Sequence, residues 1–279
     1  MPRIAFFYDI LREDEKLLLA RLRERASVDA IHASRAVMTI GSGGPDADLG
    51  VVRGVSFSTS LYSALVAESW GLHVVNSAES LVKSRDKVWS LSIFSRVGIP
   101  FPESLVSMSP ESLTEASGRL GYPVVVKPVR GSWGRLVSLA RDEEEARMIA
   151  EHRAYMGENY RVGLVQRLVE KPGRDLRVFC VGGEVPAGIY RVGSHWITNI
   201  ARGARAEPLK PSPEVEDLAL RACRALGVEV GGVDIVEDPS RGYLVLEVNA
   251  VPEFKTTIKV TGVDLASIIA DYLVGRARR

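Results

Sequence analysis

Apolar and polar positions change period several times along this chain. A short apolar run at residues 3–8 ends at Asp9 and reads as a strand. Residues 12–25 are charge-rich with Leu17, Leu18 and Leu22 on a helical period, and Val28–Ile31 again reads as a strand. Leu49–Val52 predicts a strand, Leu61–Trp70 a helix and His73–Val75 a further strand. Strand and helix in alternation predict a parallel α/β domain over residues 1–83. The loop Gly41-Ser42-Gly43-Gly44-Pro45 is no dinucleotide fingerprint, because Asp46 breaks the GxGxxG spacing and no strand directly precedes it.

The next stretch, residues 84–165, predicts a compact α+β subdomain. Residues 86–97 form a helix stopped by Gly98-Ile99-Pro100, and Pro110–Leu120 a second helix ended by Gly121. A valine-rich strand, residues 122–128, leads into the glycine loop Gly131–Arg135 and a return strand at Leu136–Leu139. Asp142 N-caps an amphipathic helix that runs to Tyr155. Residues 166–279 form the third unit. Strands are predicted at 162–168, 174–181, 184–192, 230–237 and 242–248, in an antiparallel meander. Helices are predicted at Glu214–Leu226 and Asp264–Val274.

Composition narrows the functional classes. With 279 residues, 46% of them hydrophobic and 25% charged, the chain suits a globular protein of several subdomains. A net charge of +1 argues against a general nucleic-acid binder. No apolar run approaches the ~20 residues of a membrane span, and the N-terminus reads as a strand, so a cytoplasmic protein is expected. Cys180 and Cys223 show no CxxC pattern and read as reduced, buried residues. The four histidines lack zinc-site spacing.

Three features carry chemistry. Glu247 and Asn249 lie two apart on one strand and therefore share a face. Asp238–Gly242 offers a hairpin turn that would bring Asp234 beside them, giving three oxygen donors suited to Mg²⁺. Lys127 ends the valine-rich strand just before the glycines, where backbone amides can approach phosphates. Lys87 opens a helix, and Gln166-Arg167-Leu168 followed by Asp175 could meet an adenine edge and a ribose. Each feature also has a plainer reading: an exposed acidic sheet face, a hairpin with a surface lysine, a sheet rim.

In this order the pieces resemble the ATP-grasp family of carboxylate–amine ligases. The resemblance covers most of the chain and implies an ATP-grasp fold of class α/β (α+β). That fold has an N-terminal parallel lobe, a central lid and a C-terminal antiparallel-sheet lobe. By resemblance Lys87 and Lys127 hold the phosphates of ATP, and Gly131, Ser132, Trp133, Gly134 and Arg135 close over them. Gln166, Arg167, Leu168 and Asp175 take the adenosine, and Asp234, Glu247 and Asn249 bind two Mg²⁺.

A narrower likeness lies in Gly131-Ser132-Trp133-Gly134-Arg135, Glu170–Phe179, Ile189-Tyr190-Arg191, Trp196–Gly203 and Glu253-Phe254-Lys255. These segments look like the LysX/ArgX branch of RimK-like ligases. That likeness implies attachment of α-aminoadipate or glutamate to the C-terminal glutamate of a small acidic carrier protein, LysW, and a homo-oligomeric enzyme. Arg202, with Lys87 and Lys127, is then expected in catalysis. Arg177, Arg191, Asn199, Glu253, Phe254 and Lys255 are expected at the substrate, and Arg130, Arg135, Arg153 and Arg205 are candidates to dock the carrier. A RimK-like glutamate ligase with another protein acceptor, and a non-catalytic nucleotide sensor, are the rival readings.

Overall fold

The computed structural model describes residues 1–131, 134–198, 200 and 203–278. Its first sheet joins β1 (Arg3–Tyr8), β2 (Ser27–His32), β3 (Leu49–Val52) and β4 (Val74–Val75) in the order β2-β1-β3-β4, every pair parallel. Parallel neighbours need crossovers, and helices α1 (Glu13–Arg23) and α2 (Phe57–Ser69) provide two. The sheet is covered on both faces. Ile4 and Phe6 of β1 enter one apolar cluster with α1 and the last helix, while Ala5 and Phe7 enter another. On α1 the buried leucines are Leu18, Leu19 and Leu22; the expected Leu17 is exposed. Asn76, after β4, is buried and satisfied at both amide atoms. Its Nδ2 donates to the carbonyls of Val230 (2.7 Å) and Ala250 (2.6 Å), and its Oδ1 accepts from the N–H of Glu229 (2.8 Å). One side chain thus ties the first sheet to the final hairpin.

Helices α3 (Ala78–Arg85) and α4 (Lys87–Val97) are separated at Asp86, whose carboxylate accepts the Trp89 N–H at 3.0 Å and caps α4. Beyond them lie β5 (Ser104–Ser107), α5 (Glu111–Leu120), β6 (Val124–Pro128), β7 (Ser138–Ala140), α6 (Glu143–Ala154) and β8 (Gly163–Arg167). Their strands form an antiparallel sheet in the order β5-β8-β6-β7. Alternation turns Val124 and Val126 into the cluster under α5 and α6, and sends Val125 and Lys127 to the other face.

The largest sheet contains β9 (Arg174–Val181), β10 (Glu184–Val192), β11 (Arg205–Leu209), β12 (Val230–Asp238) and β13 (Gly242–Asn249). Its order is β11-β10-β9-β12-β13, antiparallel throughout. Helix α7 (Pro213–Leu226) packs on it, and α8 (Lys255–Thr261) and α9 (Leu265–Arg276) close the chain. The β12–β13 turn forms as expected, with Asp238 Oδ1 accepting the N–H groups of Ser240 and Arg241.

Three expectations are corrected. The sheet is no plain meander, because β12 returns beside β9. The strand expected at 162–168 belongs to the second sheet, so a boundary at 165/166 cuts through β8. Leu91, Ile93 and Phe94 of α4 pack in the cluster that holds Leu218 and Ala222 of α7, so residues 84–165 do not share one core.

Candidate active site

The second and third sheets face each other across a cleft. Strand alternation aims its walls: Val125 and Lys127 from β6, Gln166 from β8, Asp175 from β9, Asp234 and Val236 from β12. Lys127 Nζ donates to Gln166 Oε1 at 2.5 Å, and Gln166 Nε2 donates to Ser104 Oγ at 2.9 Å. Burial and the neighbouring Lys87 ammonium lower Lys127 from its ordinary 10.5 to about 8. Lys87 is the first residue of α4, and its N–H donates to the Val129 carbonyl at 3.0 Å, which locks the helix start to the end of β6. Its Nζ lies 3.3 Å from the Gly131 carbonyl and 3.5 Å from Glu247 Oε2. Gly134, Arg135, Arg167 and Leu168 also line the cleft.

Strand pairing brings the acidic residues side by side. Asp234 pairs with Glu247, and Gly232 with Asn249, across β12 and β13. The register then slips between Asp234–Glu247 and Ile235–Val245, leaving Leu246 as an extra residue. This bulge lets Leu246 and Glu247 both face the cleft. Burial pushes Glu247 up, but Lys87, Arg177 and Lys127 outweigh it and hold the carboxyl at about 2. Asn249 Nδ2 donates to Glu247 Oε1 at 3.3 Å. Asp234 is engaged differently. Arg177 donates to both of its oxygens, and Arg191 Nη2 lies 3.2 Å from Oδ2. Burial still raises the Asp234 pKa overall. Among the described residues no group of three or more His, Cys, Asp or Glu side chains gathers. The donor set of Glu247 carboxylate and Asn249 amide oxygen suits a hard cation that also binds phosphate, while Asp234 oxygens are occupied by guanidinium groups.

Asp175 lines the first cleft and is already engaged by protein groups. It is buried, with Oδ1 accepting from Arg191 Nε at 2.5 Å and Oδ2 from Lys171 Nζ at 3.2 Å and from the Thr198 hydroxyl. Its charge holds Arg191 in place, and together Asp234 and Asp175 overcome the burial that works against the guanidinium and raise its pKa.

A second cleft, of about 1590 Å³, adjoins the first. The two share Lys87, Gly131, Arg191 and Glu247. Arg177, Asn249, Glu253 and Lys255 face the second, opposite Arg12, Phe57 and Arg85 of the first 85 residues. Its loop is seated on α1: Asp14 Oδ1 accepts the N–H groups of Phe254 (2.6 Å) and Lys255 (2.8 Å). Arg12 Nη1 donates to Glu253 at 2.5 Å, and buried Arg53 donates to Glu15 (3.0 Å) and to the Pro252 carbonyl (2.9 Å). Phe254 is corrected: its ring is fully buried under the Arg53 guanidinium, 5.4 Å from the centroid, and anchors the loop instead of meeting a ligand. Arg153 is also removed from the docking candidates, because it is buried and donates to the Leu136 carbonyl. Ser132, Trp133, Asn199 and Arg202 lie outside the described residues.

Sequence reading missed Arg12, Arg53, Arg85 and Lys171. The first two are far from the loop they grip, so no local spacing marks them. Lys171 stood within the Glu170–Phe179 segment and Arg85 two residues before Lys87, but a lone basic residue on a polar stretch has the same signature as a solvated one.

Two antiparallel sheets enclosing a lysine-lined cleft, with the Asp234 and Glu247 carboxylates in its wall and the Asn249 amide beside Glu247, form the ATP-binding arrangement of an ATP-grasp ligase. Residues 84–273 match the RimK-like ATP-grasp domain, and residues 4–82 the LysX preATP-grasp domain. The chain is 38% identical to alpha-aminoadipate--LysW ligase LysX of Sulfurisphaera tokodaii, over 97% of this chain and 96% of the relative. It is 33% identical to glutamate--LysW ligase ArgX of the same organism, over 97% and 98%. The crystal structure of a RimK domain ATP-grasp protein from Sphaerobacter thermophilus superposes with a TM-score of 0.80 at 28% identity, covering 97% and 99% of the two chains. The chain belongs to the RimK-like ATP-grasp family and carries the LysX type of N-terminal domain. It is an ATP-dependent ligase.

Proposed function

We propose that this ligase joins the amino group of α-aminoadipate or glutamate to the side-chain carboxylate of the C-terminal glutamate of LysW, in lysine or arginine biosynthesis. The observation that carries this reading is the wall common to both clefts. Lys87, Arg191 and Glu247 stand where a phosphoryl group leaving the first cleft would meet a carboxylate in the second. The similarity to both LysX and ArgX supports the carrier and the two amino acids.

In this reading a carboxylate oxygen of the carrier attacks the γ-phosphorus, and ADP leaves. The amine then attacks the acyl carbon, phosphate leaves, and phosphate or water takes the amine proton. Lys87 and Lys127 neutralise the transferring group, which is most of what phosphoryl transfer asks of a protein. Glu247 and Asn249 would hold Mg²⁺, which when bound draws charge from the phosphates. A second ion needs Asp234 to release one of its arginines. Arg202 is proposed at the acyl phosphate, and Arg177 and Arg191 as the frame that positions Asp234 and Asp175. A homo-oligomeric, cytoplasmic enzyme belongs to the same proposal.

The test is ADP release with ATP, Mg²⁺, the carrier and each amino acid in turn, with the carrier mass read afterwards. A mass gain of one aminoadipate or glutamate residue is expected. No ADP with either, or turnover only with a different protein tail, overturns the reading in favour of a sensor or a RimK-like ligase.

A further inference from the structure

Among its described residues, the second cleft holds one cation that the fold leaves without an ion-pair partner. Arg12 pairs with Glu15 and Glu253, Lys87 with Glu247, and Arg177 with Asp234. Arg191 pairs with Asp175 and Asp234, and Lys255 with Glu13. Among the described residues of the cleft, Arg85 alone has neither an ion pair nor a hydrogen bond through its guanidinium. It is partly buried at the C-terminal end of α3. Its one directed contact is with the ring of Phe57, 5.7 Å from the centroid. Burial lowers its pKa more than the charge of Glu247 raises it.

A charge partly screened from water and without a protein partner is less well solvated than a free one, and a ligand can complete the pairing. A guanidinium held over an aromatic face keeps its N–H edge free, and that edge matches a planar carboxylate in two parallel hydrogen bonds. The position is chemically apt. Arg85 lines the second cleft and is two residues before Lys87, which lines both clefts.

We propose that Arg85 binds a substrate carboxylate in the second cleft, either that of the incoming amino acid or that of the carrier's terminal residue. This rests on the ligase reading above and adds a residue to it. The anion is a carboxylate and not the ATP polyphosphate, because Arg85 lines the second cleft and not the first.

The experiment compares wild type with Arg85→Met and Arg85→Lys. KM is measured separately for amino acid, carrier and ATP. The expected result for Arg85→Met is a KM higher by roughly tenfold to a hundredfold for one carboxylate substrate, with ATP unchanged, as for loss of a charged hydrogen bond. Arg85→Lys should recover part of the loss. The arm that moves says which carboxylate is held. Calorimetry of glutamate, α-aminoadipate and a carrier C-terminal peptide, added to enzyme holding a non-hydrolysable ATP analogue, reads the same site without turnover. If wild type binds one of these through Arg85 but forms no product, the ligation reading fails and the Arg85 site stands. Unchanged affinities in Arg85→Met, a shift in ATP alone, or no carboxylate binding to wild type overturns the Arg85 proposal. Melting temperatures close to wild type check that the fold survives loss of the cation–ring contact.

Discussion

The nucleotide cleft and the second cleft share four residues, yet they are assembled differently. The first is built from strand faces. Lys127, Gln166 and Asp234 are aimed by alternation along β6, β8 and β12, with partners on neighbouring strands, and Glu247 is aimed by the bulge in β13. The second is built from chain ends brought together. Arg12 meets Glu253, Asp14 meets the N–H of Lys255, and Arg53 meets Pro252, each across more than 190 residues of sequence. The strand-built cleft is therefore expected to fail in chemistry when a side chain changes. The assembled cleft is expected to fail in loop placement and substrate affinity.

The sharpest test of the first half is Glu247→Gln. It keeps size and polarity but removes the carboxylate that faces Lys87 and Asn249. ADP formation should fall by about 10²–10³ or more, the scale seen when a charge-stabilising group is lost, with an unchanged far-UV spectrum. Near-wild-type turnover would break the metal assignment. Asp234→Asn is the contrasting change. It strips the carboxylate from both Arg177 and Arg191, so stability should fall along with activity.

Arg53→Met tests the second half. Arg53 is buried, its Nε has no partner, and it holds Glu15 and the Pro252 carbonyl. Removing one member of a buried ion pair costs about 3–5 kcal/mol, so the melting temperature should drop. If the loop is held from the N-terminal lobe, KM for the amino acid rises while KM for ATP stays put. Lost stability with an unmoved amino-acid KM would show that the loop holds its own shape.

The same contrast explains what was legible in the sequence. Lys127 and the Glu247–Asn249 pair could be read because a strand repeats every two residues. The parallel lobe could be read because strand and helix alternate. The bulge at Leu246 could not, since one inserted residue leaves no local mark. Strand β5 was missed as only four residues with two serines, and β11 because Arg205-Ala206-Glu207-Pro208-Leu209 lacks alternation and contains proline. Phe254 was misplaced because an aromatic between two charged residues reads as exposed, whereas Arg53 and Asp14 fix it from a distance. The partners of Asp175 could not be read for a related reason: they come from β10 and from residues 171 and 198.

A pH series sharpens the first cleft further. Lys127 is cationic below about 8 and neutral above it. ATP binds the cation preferentially, so its affinity should be flat below pH 8 and weaken above it, by up to about tenfold per unit. The free protein should trend the other way. Between pH 8 and 10.5 the unfolded chain binds the proton that the folded chain has lost, so Lys127 makes the fold gain stability as pH rises. Lys127→Arg should flatten the change in ATP affinity. A wild-type ATP KM that is constant from pH 7 to 9 would sink the assignment.

The smallest effect is expected at Lys255. Its ammonium lies 3.2 Å from Glu13, and both side chains are largely exposed, so the pair itself contributes at most about 1 kcal/mol to folding. Lys255→Ala should therefore melt close to wild type. If Lys255 leaves Glu13 for a substrate carboxylate, KM for the dicarboxylic amino acid should rise several-fold to about tenfold, the worth of one charged hydrogen bond at a partly wet site. ATP should be unaffected, because Lys255 lines only the second cleft. A raised ATP KM with an unchanged amino-acid KM would place Lys255 on the wrong side of the Lys87–Glu247 wall. The two clefts would then have to be treated as one continuous site, not as neighbours with separate duties.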